Sequence, residues 1–256
     1  MASQVGARVA SFLRIGTWRK LRRLLNSVFP NKQNWFALMA LAHSYSSIKD
    51  FEGCPKRYYE VRILKSFKQS DTEATLYGTA VHKACEDFIK LKTPFPPQFS
   101  KFQRFVEPLA AIEGDIYCEQ RMAIRNDFTP CGFFDKDVWF RGIPDFLAVN
   151  KNTGIARVAD YKTGKSSRYA DTAQLELLAA MIMAHHPEVN TVKGVLLFMV
   201  VGDVIRAEFT RDQLPEIWSK WASRADAIEK SMELEIWNPR SSALCKFCPV
   251  SSCPHN

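Results

Sequence analysis

At 256 residues the chain is long enough for one sizeable domain or two small ones, and 46% hydrophobic with 24% charged residues is an ordinary globular balance. No apolar run approaches the roughly 18–20 residues of a bilayer-crossing helix, so no membrane span is expected. The net charge is +8, but residues 1–38 hold seven Lys/Arg and no Asp/Glu, leaving about +1 (8 − 7) for the rest, so bulk charge alone does not argue for nucleic-acid binding.

Seven cysteines with no convincing secretory leader point to a reducing compartment. The expected location is the cytoplasm, the host's if the source is viral. The basic stretch at 1–38 carries Val9, Phe12, Leu13, Leu21, Leu24, Leu25 and Val28 in rough helical spacing. It reads as an organelle-targeting presequence, a membrane-surface helix, a nucleic-acid arm, a tail with no fold of its own, or a translated upstream extension. The working domain is expected to run from residue 39 to residue 256.

Residues 44–59 predict a serine-capped short helix, a break at Gly53 and Pro55, and more helix. Val81, Ala84, Cys85 and Phe88 keep helical spacing, so His82 rides on a helix expected to open just after Gly78. Glu86 follows one turn later on the same face, where it is either a hydrogen-bonding support for His82 or an ordinary surface acid. A lone helical histidine is more often structural than a ligand. Residues 101–113 suggest a helix interrupted by Pro108. Residues 116–124 alternate as a first strand, in which Glu119 is read by default as an edge acid, with an approach to a metal site as the other reading, and residues 127–137 as a loop.

The centre of the chain is a hairpin signal. Two aliphatic runs, residues 145–149 and 155–161, flank a polar loop ending in Gly154. Antiparallel pairing places Asp145 and Asp160 at the same end, where their carboxylates can converge. Alternation puts Asp160 and Lys162 on one face and Tyr161 on the other. Two acids and a lysine at one sheet end suit a divalent cation and a phosphate, and an ordinary solvated turn is the competing reading. Asp171 and Gln174 read as a capping box opening an apolar helix that ends near His185 and His186. A strand at 191–201, a turn at Gly202 and a strand at 204–209 follow. Thr210 and Gln213 then cap a helix reaching about Met232. The order predicts an α/β fold, a mixed sheet flanked by helices. Near the end, Cys245, Cys248 and Cys253 form a metal-site spacing, with Cys54 or His255 available as a fourth ligand. Zinc and an iron–sulfur cluster both remain open. Cys85, Cys118 and Cys131 read as core or loop residues.

The pair Gly-Ile-Pro-Asp145 and Asp160-Tyr-Lys162-Thr-Gly resembles the PD-(D/E)XK nuclease superfamily. The Asp-x-Lys-Thr-Gly form is similar to its RecB-type branch, which includes phage exonucleases and CRISPR-adaptation nucleases. The resemblance runs from about Ser44 to the C-terminus. It implies a restriction-endonuclease-like core and a Mg²⁺- or Mn²⁺-dependent DNA exonuclease of recombination, repair or replication, with a recombination or replication protein as a partner. It further implies His82, Asp145, Asp160 and the Tyr161 carbonyl as metal ligands, with Lys162 and Gln174 catalytic. Lys165 and Arg168 become candidate DNA contacts, and Cys54, Cys245, Cys248 and Cys253 a [4Fe–4S] site with Zn²⁺ as the alternative. The sequence departs from the pattern at Leu178, where a tyrosine is expected, and in a shorter gap between Cys248 and Cys253. A structure-selective endonuclease and a non-catalytic DNA-binding module are the other readings.

Overall fold

The computed structural model describes residues 42–67 and 71–256, so the basic stretch at 1–38 and its readings lie outside the described residues. Two helices, α1 (Tyr45–Gly53) and α2 (Pro55–Tyr58), open the described chain. Ser44 and Ser47 close a reciprocal capping box on α1, satisfying amide groups that a helix start leaves unpaired. Cys54 then ends α1 in extended geometry and accepts the Arg57 N–H at the head of α2.

The long helix α3 (Glu73–Leu91) starts earlier than expected. Thr72 supplies its cap, and Gly78 lies inside it rather than before it. A Cβ at Gly78 would sit 3.2 Å from the Thr163 hydroxyl, so the glycine marks a close approach to the sheet. A 3₁₀ turn (Pro97–Phe102) leads into α4 (Gln103–Ala110), which tolerates Pro108 within its eight residues.

Eight strands follow: β1 (Asp115–Cys118), β2 (Met122–Ile124), β3 (Pro130–Cys131), β4 (Phe140–Gly142), β5 (Phe146–Asn150), β6 (Ile155–Lys162), β7 (Thr191–Phe198) and β8 (Asp203–Thr210). The expected single strand at 116–124 is two strands in different sheets. Glu119 adopts a left-handed φ of 53°, which breaks the ladder and redirects the chain. The large sheet runs β1-β5-β6-β7-β8 and the small one β3-β2-β4. β5 and β6 pair antiparallel, with Phe146 opposite Ala159, while β6 and β7 pair parallel. The parallel pair is joined through α5 (Ala173–His185), the usual solution for a parallel crossover.

Alternation along β5 and β6 divides the core. Leu147, Val149, Ala156 and Val158 pack with α5 and with α6 (Leu214–Leu234). Phe146, Ala148, Ala159 and Tyr161 pack with α3, the 3₁₀ turn and α4 on the other face. The result is the mixed α/β sheet flanked by helices that the element order predicts. Helix α5 is apolar on every side because it lies between the two sheets, touching β2, β3, β4, β6 and β7. The Arg211 side chain caps its C-terminal end, donating to the carbonyls of Met183, His186 and Pro187 at 3.0–3.1 Å. No helix among the described residues is long and apolar enough to cross a membrane.

Candidate active site

The site forms where helices from the two faces of the large sheet reach the end of the β5–β6 hairpin. One register step beyond Phe146 and Ala159 lie Asp145 and Asp160, so the pairing itself brings the two acids together. Asp145 Oδ2 accepts the Tyr161 backbone N–H at 2.6 Å, which locks the carboxylate across the strand. Its Oδ1 lies 3.1 Å from His82 Nδ1. The other ring nitrogen, Nε2, is 3.0 Å from the Tyr161 carbonyl oxygen. His82 thus reaches the site from α3 on one face.

Gln174 reaches it from the other face, in the first turn of α5. The expected capping box does not form. Asp171 accepts the Ala173 N–H instead, and the Gln174 side chain turns inward. Its Nε2 donates to Asp160 Oδ1, and its Oε1 accepts from Lys162 Nζ at 2.8 Å. The amide bridges two charged groups of opposite sign, a stronger use of both its ends than a cap. Lys162 Nζ also lies 2.6 Å from Asp160 Oδ2. That oxygen is buried and lacks a properly aligned hydrogen bond despite the nearby ammonium.

Glu119, read from sequence as an edge acid, belongs to the cluster. One ligand atom each from His82, Glu119 and Asp145 lie within 4.8 Å of one another. The left-handed turn at Glu119 and the bond from its N–H to the Asp145 carbonyl hold it there. A kink that breaks a strand leaves no signature in an alternating pattern, so the sequence left both readings of Glu119 open. Glu86, considered as a support for His82, instead pairs with Lys83 and Lys90.

The electrostatics are those of a site holding more negative charge than it can ionise. Burial pushes the Asp160 carboxyl up to about 6, Asp145 adds to the rise, and Lys162 and His82 oppose it. Burial and Asp145 also raise Glu119. For His82, burial lowers the pKa, but the hydrogen bond and charge of Asp145, with Asp160 and Glu119, more than offset it. A cation among these groups would offset the repulsion that raises them. Three carboxylates, a peptide carbonyl and one imidazole form a hard, oxygen-rich donor set, which fits Mg²⁺ or Mn²⁺.

Lys165 and Arg168 sit exposed in the loop between β6 and α5, with no ion pair among the described residues. The Arg168 guanidinium lies 5.4 Å from the exposed Tyr169 ring. Leu178 is buried and lies beyond the polar cluster, in the core that α5 shares with both sheets.

A second cluster lies at the two ends of the described chain. Cys54, Cys245, Cys248 and Cys253 line one cavity of about 550 Å³, together with His255. Backbone N–H groups point at two of the sulfurs. Arg57 and Arg240 donate to Cys54 at 3.5 and 3.4 Å, and Ser242 donates to Cys245 at 3.3 Å. Such donors stabilise thiolates, so the group fits a thiolate-bound metal. Cys85 and Cys118 are core thiols, which burial pushes up to about 12 and about 11, while Cys131 is half-buried beside β2.

The structure is similar to a candidate exonuclease from Eubacterium rectale, at 15% identity over 85% of this chain and 90% of that one, TM-score 0.47. It is also similar to the protein SSO0001, at 18% identity over 92% of each chain, TM-score 0.49. No curated protein matches the chain. The sequence pattern of the PD-(D/E)XK nuclease superfamily matches residues 42–115 and 102–254, which together span nearly all the described residues, and the chain belongs to that superfamily.

Proposed function

We propose that residues 39–256 form a Mg²⁺- or Mn²⁺-dependent deoxyribonuclease, an exonuclease acting on DNA ends in recombination, repair or replication. The observation that carries this reading is the convergence of Asp145, Asp160, His82 and the Tyr161 carbonyl beside the Lys162 ammonium. Those five groups lie in a chain of a nuclease superfamily. His82, Asp145, Asp160 and the Tyr161 carbonyl hold the metal, and Glu119 stands next to them. When bound, the ion acidifies a water and offsets charge on the scissile phosphate. Lys162 neutralises the phosphate or orients the water, and its charge sits where negative charge develops. Gln174 keeps Lys162 and Asp160 in mutual register through its two amide ends. Lys165 and Arg168 contact backbone phosphates of the bound strand.

The four tail-clasp cysteines hold a [4Fe–4S] cluster that ties the C-terminal tail to α1. The four cysteines line one cavity with backbone N–H groups on two of their sulfurs, and Zn²⁺ on the same four thiolates is the alternative. Anaerobically purified protein should show the broad visible absorbance of such a cluster and lose it in Cys54→Ser. Stoichiometric zinc with no visible band would contradict the cluster.

The catalytic reading is tested with end-labelled single- and double-stranded DNA and either metal. Cleavage should vanish with chelator and fall at least about 10²–10³-fold in Lys162→Ala and Asp160→Asn, the range for removing one preorganised charge at a reacting centre. A ladder shortening from one end would support the exonuclease. Cleavage unchanged in both variants would overturn the assignment, and DNA binding without cleavage would favour a non-catalytic module.

A further inference from the structure

Beside the polar cluster lies a cavity of about 440 Å³ whose wall includes Tyr45, Phe133, Arg141, Gln174 and Leu178. Gln174 is the shared wall. Its side chain holds Lys162 and Asp160 on one side and faces this cavity on the other. The cavity is therefore one side chain removed from the Lys162 ammonium.

Its rim is unusual for a surface loop. Phe133 and Phe134 follow β3 and meet edge to face, with centroids 5.2 Å apart at 82°. Phe133 lines the cavity, and Phe134 is 73% exposed. Two guanidinium groups flank the pair. Arg121 lies 5.8 and 5.4 Å from the two rings, and Arg141 lies 5.2 and 6.0 Å from them. Neither arginine forms an ion pair among the described residues, and Arg141 Nε is buried with no hydrogen-bond partner. Phe134 thus stands in water with half-buried Phe133 behind it and two cations beside it that form no ion pair among the described residues, an apolar face left open to a ligand. Its complement must present a flat apolar face and a negative charge within a few ångströms. A nucleotide does this, with its base on the ring and its phosphate on the guanidinium. Inside a duplex, paired bases expose only their edges in the grooves, so an internal base that lies on these rings belongs to a single strand.

We propose that Phe133 and Phe134 form a stacking platform for an unpaired base next to the scissile phosphate, with Arg121 and Arg141 holding the adjoining phosphate. This rests on the nuclease reading of the neighbouring cluster and adds its substrate class, single-stranded DNA or a frayed end. The platform comes from the small sheet, so strand selection is built on a different element from the chemistry.

The test uses the full chain and oligonucleotides carrying 2-aminopurine, whose fluorescence is quenched by stacking. In a Lys162→Ala background, single-stranded oligonucleotide should bind with quenching. Adding Phe134→Ala should weaken that binding about tenfold and reduce the quench, while blunt duplex affinity changes less than twofold. Phe134 is largely exposed, so this variant leaves the core intact, and Phe133→Leu keeps the cavity filled while removing the aromatic face. With Lys162 present, both substitutions should raise KM for single strands more than they lower kcat. Unchanged single-strand affinity and quench in both variants would overturn the platform, even if cleavage is robust. A wild-type chain that cleaves no DNA yet shows the Phe134-dependent quench would support the platform and overturn the nuclease reading.

Discussion

His82 presents both ring nitrogens to oxygen acceptors, Asp145 Oδ1 and the Tyr161 carbonyl. Satisfying both requires the doubly protonated ring, in keeping with its raised pKa. Asp160, pushed up to about 6 from 3.8, holds a proton that an unfolded chain would release. Both shifts have the same sign in the linkage relation. The folded, metal-free chain binds more protons than the unfolded one, from about pH 4 to 6 for Asp160 and above 6.5 for His82. Their contribution to stability is therefore present at low pH and lost as pH rises through these windows. Urea midpoints of the metal-free protein should fall as pH rises through this range, and more shallowly in Asp160→Asn. Bound metal replaces those protons, so Mn²⁺ affinity should rise with pH and release protons on binding. Calorimetry in two buffers of different ionisation enthalpy reads this, and a pH-independent affinity would contradict it. Asp145, Asp160 and Lys162 were legible in the sequence because one hairpin holds them within 18 residues. Gln174 had two readings, a cap and a site residue, and only the inward turn of its side chain separates them. Glu119 also had two readings, an edge acid and a neighbour of the metal site, while the Phe133–Phe134 pair carried no reading at all. Their positions depend on a left-handed kink and on a second sheet, neither of which leaves a periodic trace.

At the scale of elements, close approaches set the geometry. Gly114, at the entrance to β1, has φ +130°, and a Cβ there would lie 2.5 Å from the Val149 carbonyl oxygen. Both the backbone conformation and the contact exclude a side chain, so Gly114→Ala should cost at least about 1–3 kcal/mol, read from urea unfolding. An unchanged midpoint would contradict this packing. Gly142 on β4 lies under α5, where a Cβ would come within 3.0 Å of both Leu178 and Met181. Gly142→Ala overpacks that junction and should destabilise by about 1–3 kcal/mol. Because α5 carries Gln174, the same substitution should also lower kcat. The helices and central strands were readable from apolar spacing and caps. The division of strands between two sheets was not, because it is decided by which face of α5 each strand covers.

Across the molecule, distant segments converge on α1 and α6. Trp221 on α6 is fully buried and donates its indole N–H to Glu176 on α5 at 2.9 Å. Trp221→Ala should cost about 3–5 kcal/mol, from the cavity and the lost indole hydrogen bond together, with Lys220 still paired to Glu176. Trp237 stacks on Tyr59 at 4.7 Å, and the Arg240 guanidinium donates to the Glu52 carbonyl, bringing the tail cysteines to Cys54. If the cysteines clasp a metal, Cys54→Ser should speed proteolysis near the C-terminus while leaving the sheet intact, and equal cleavage rates would contradict the clasp. The most direct test of the central claim, a metal ion at the His82–Asp145–Asp160 cluster acting on a scissile phosphate, is single-turnover cleavage of DNA with one non-bridging phosphate oxygen replaced by sulfur. Cleavage should slow strongly in Mg²⁺ for one stereoisomer and recover in thiophilic Mn²⁺. Equal rates for oxygen and sulfur substrates in both metals, when the chemical step is rate-limiting, would contradict it.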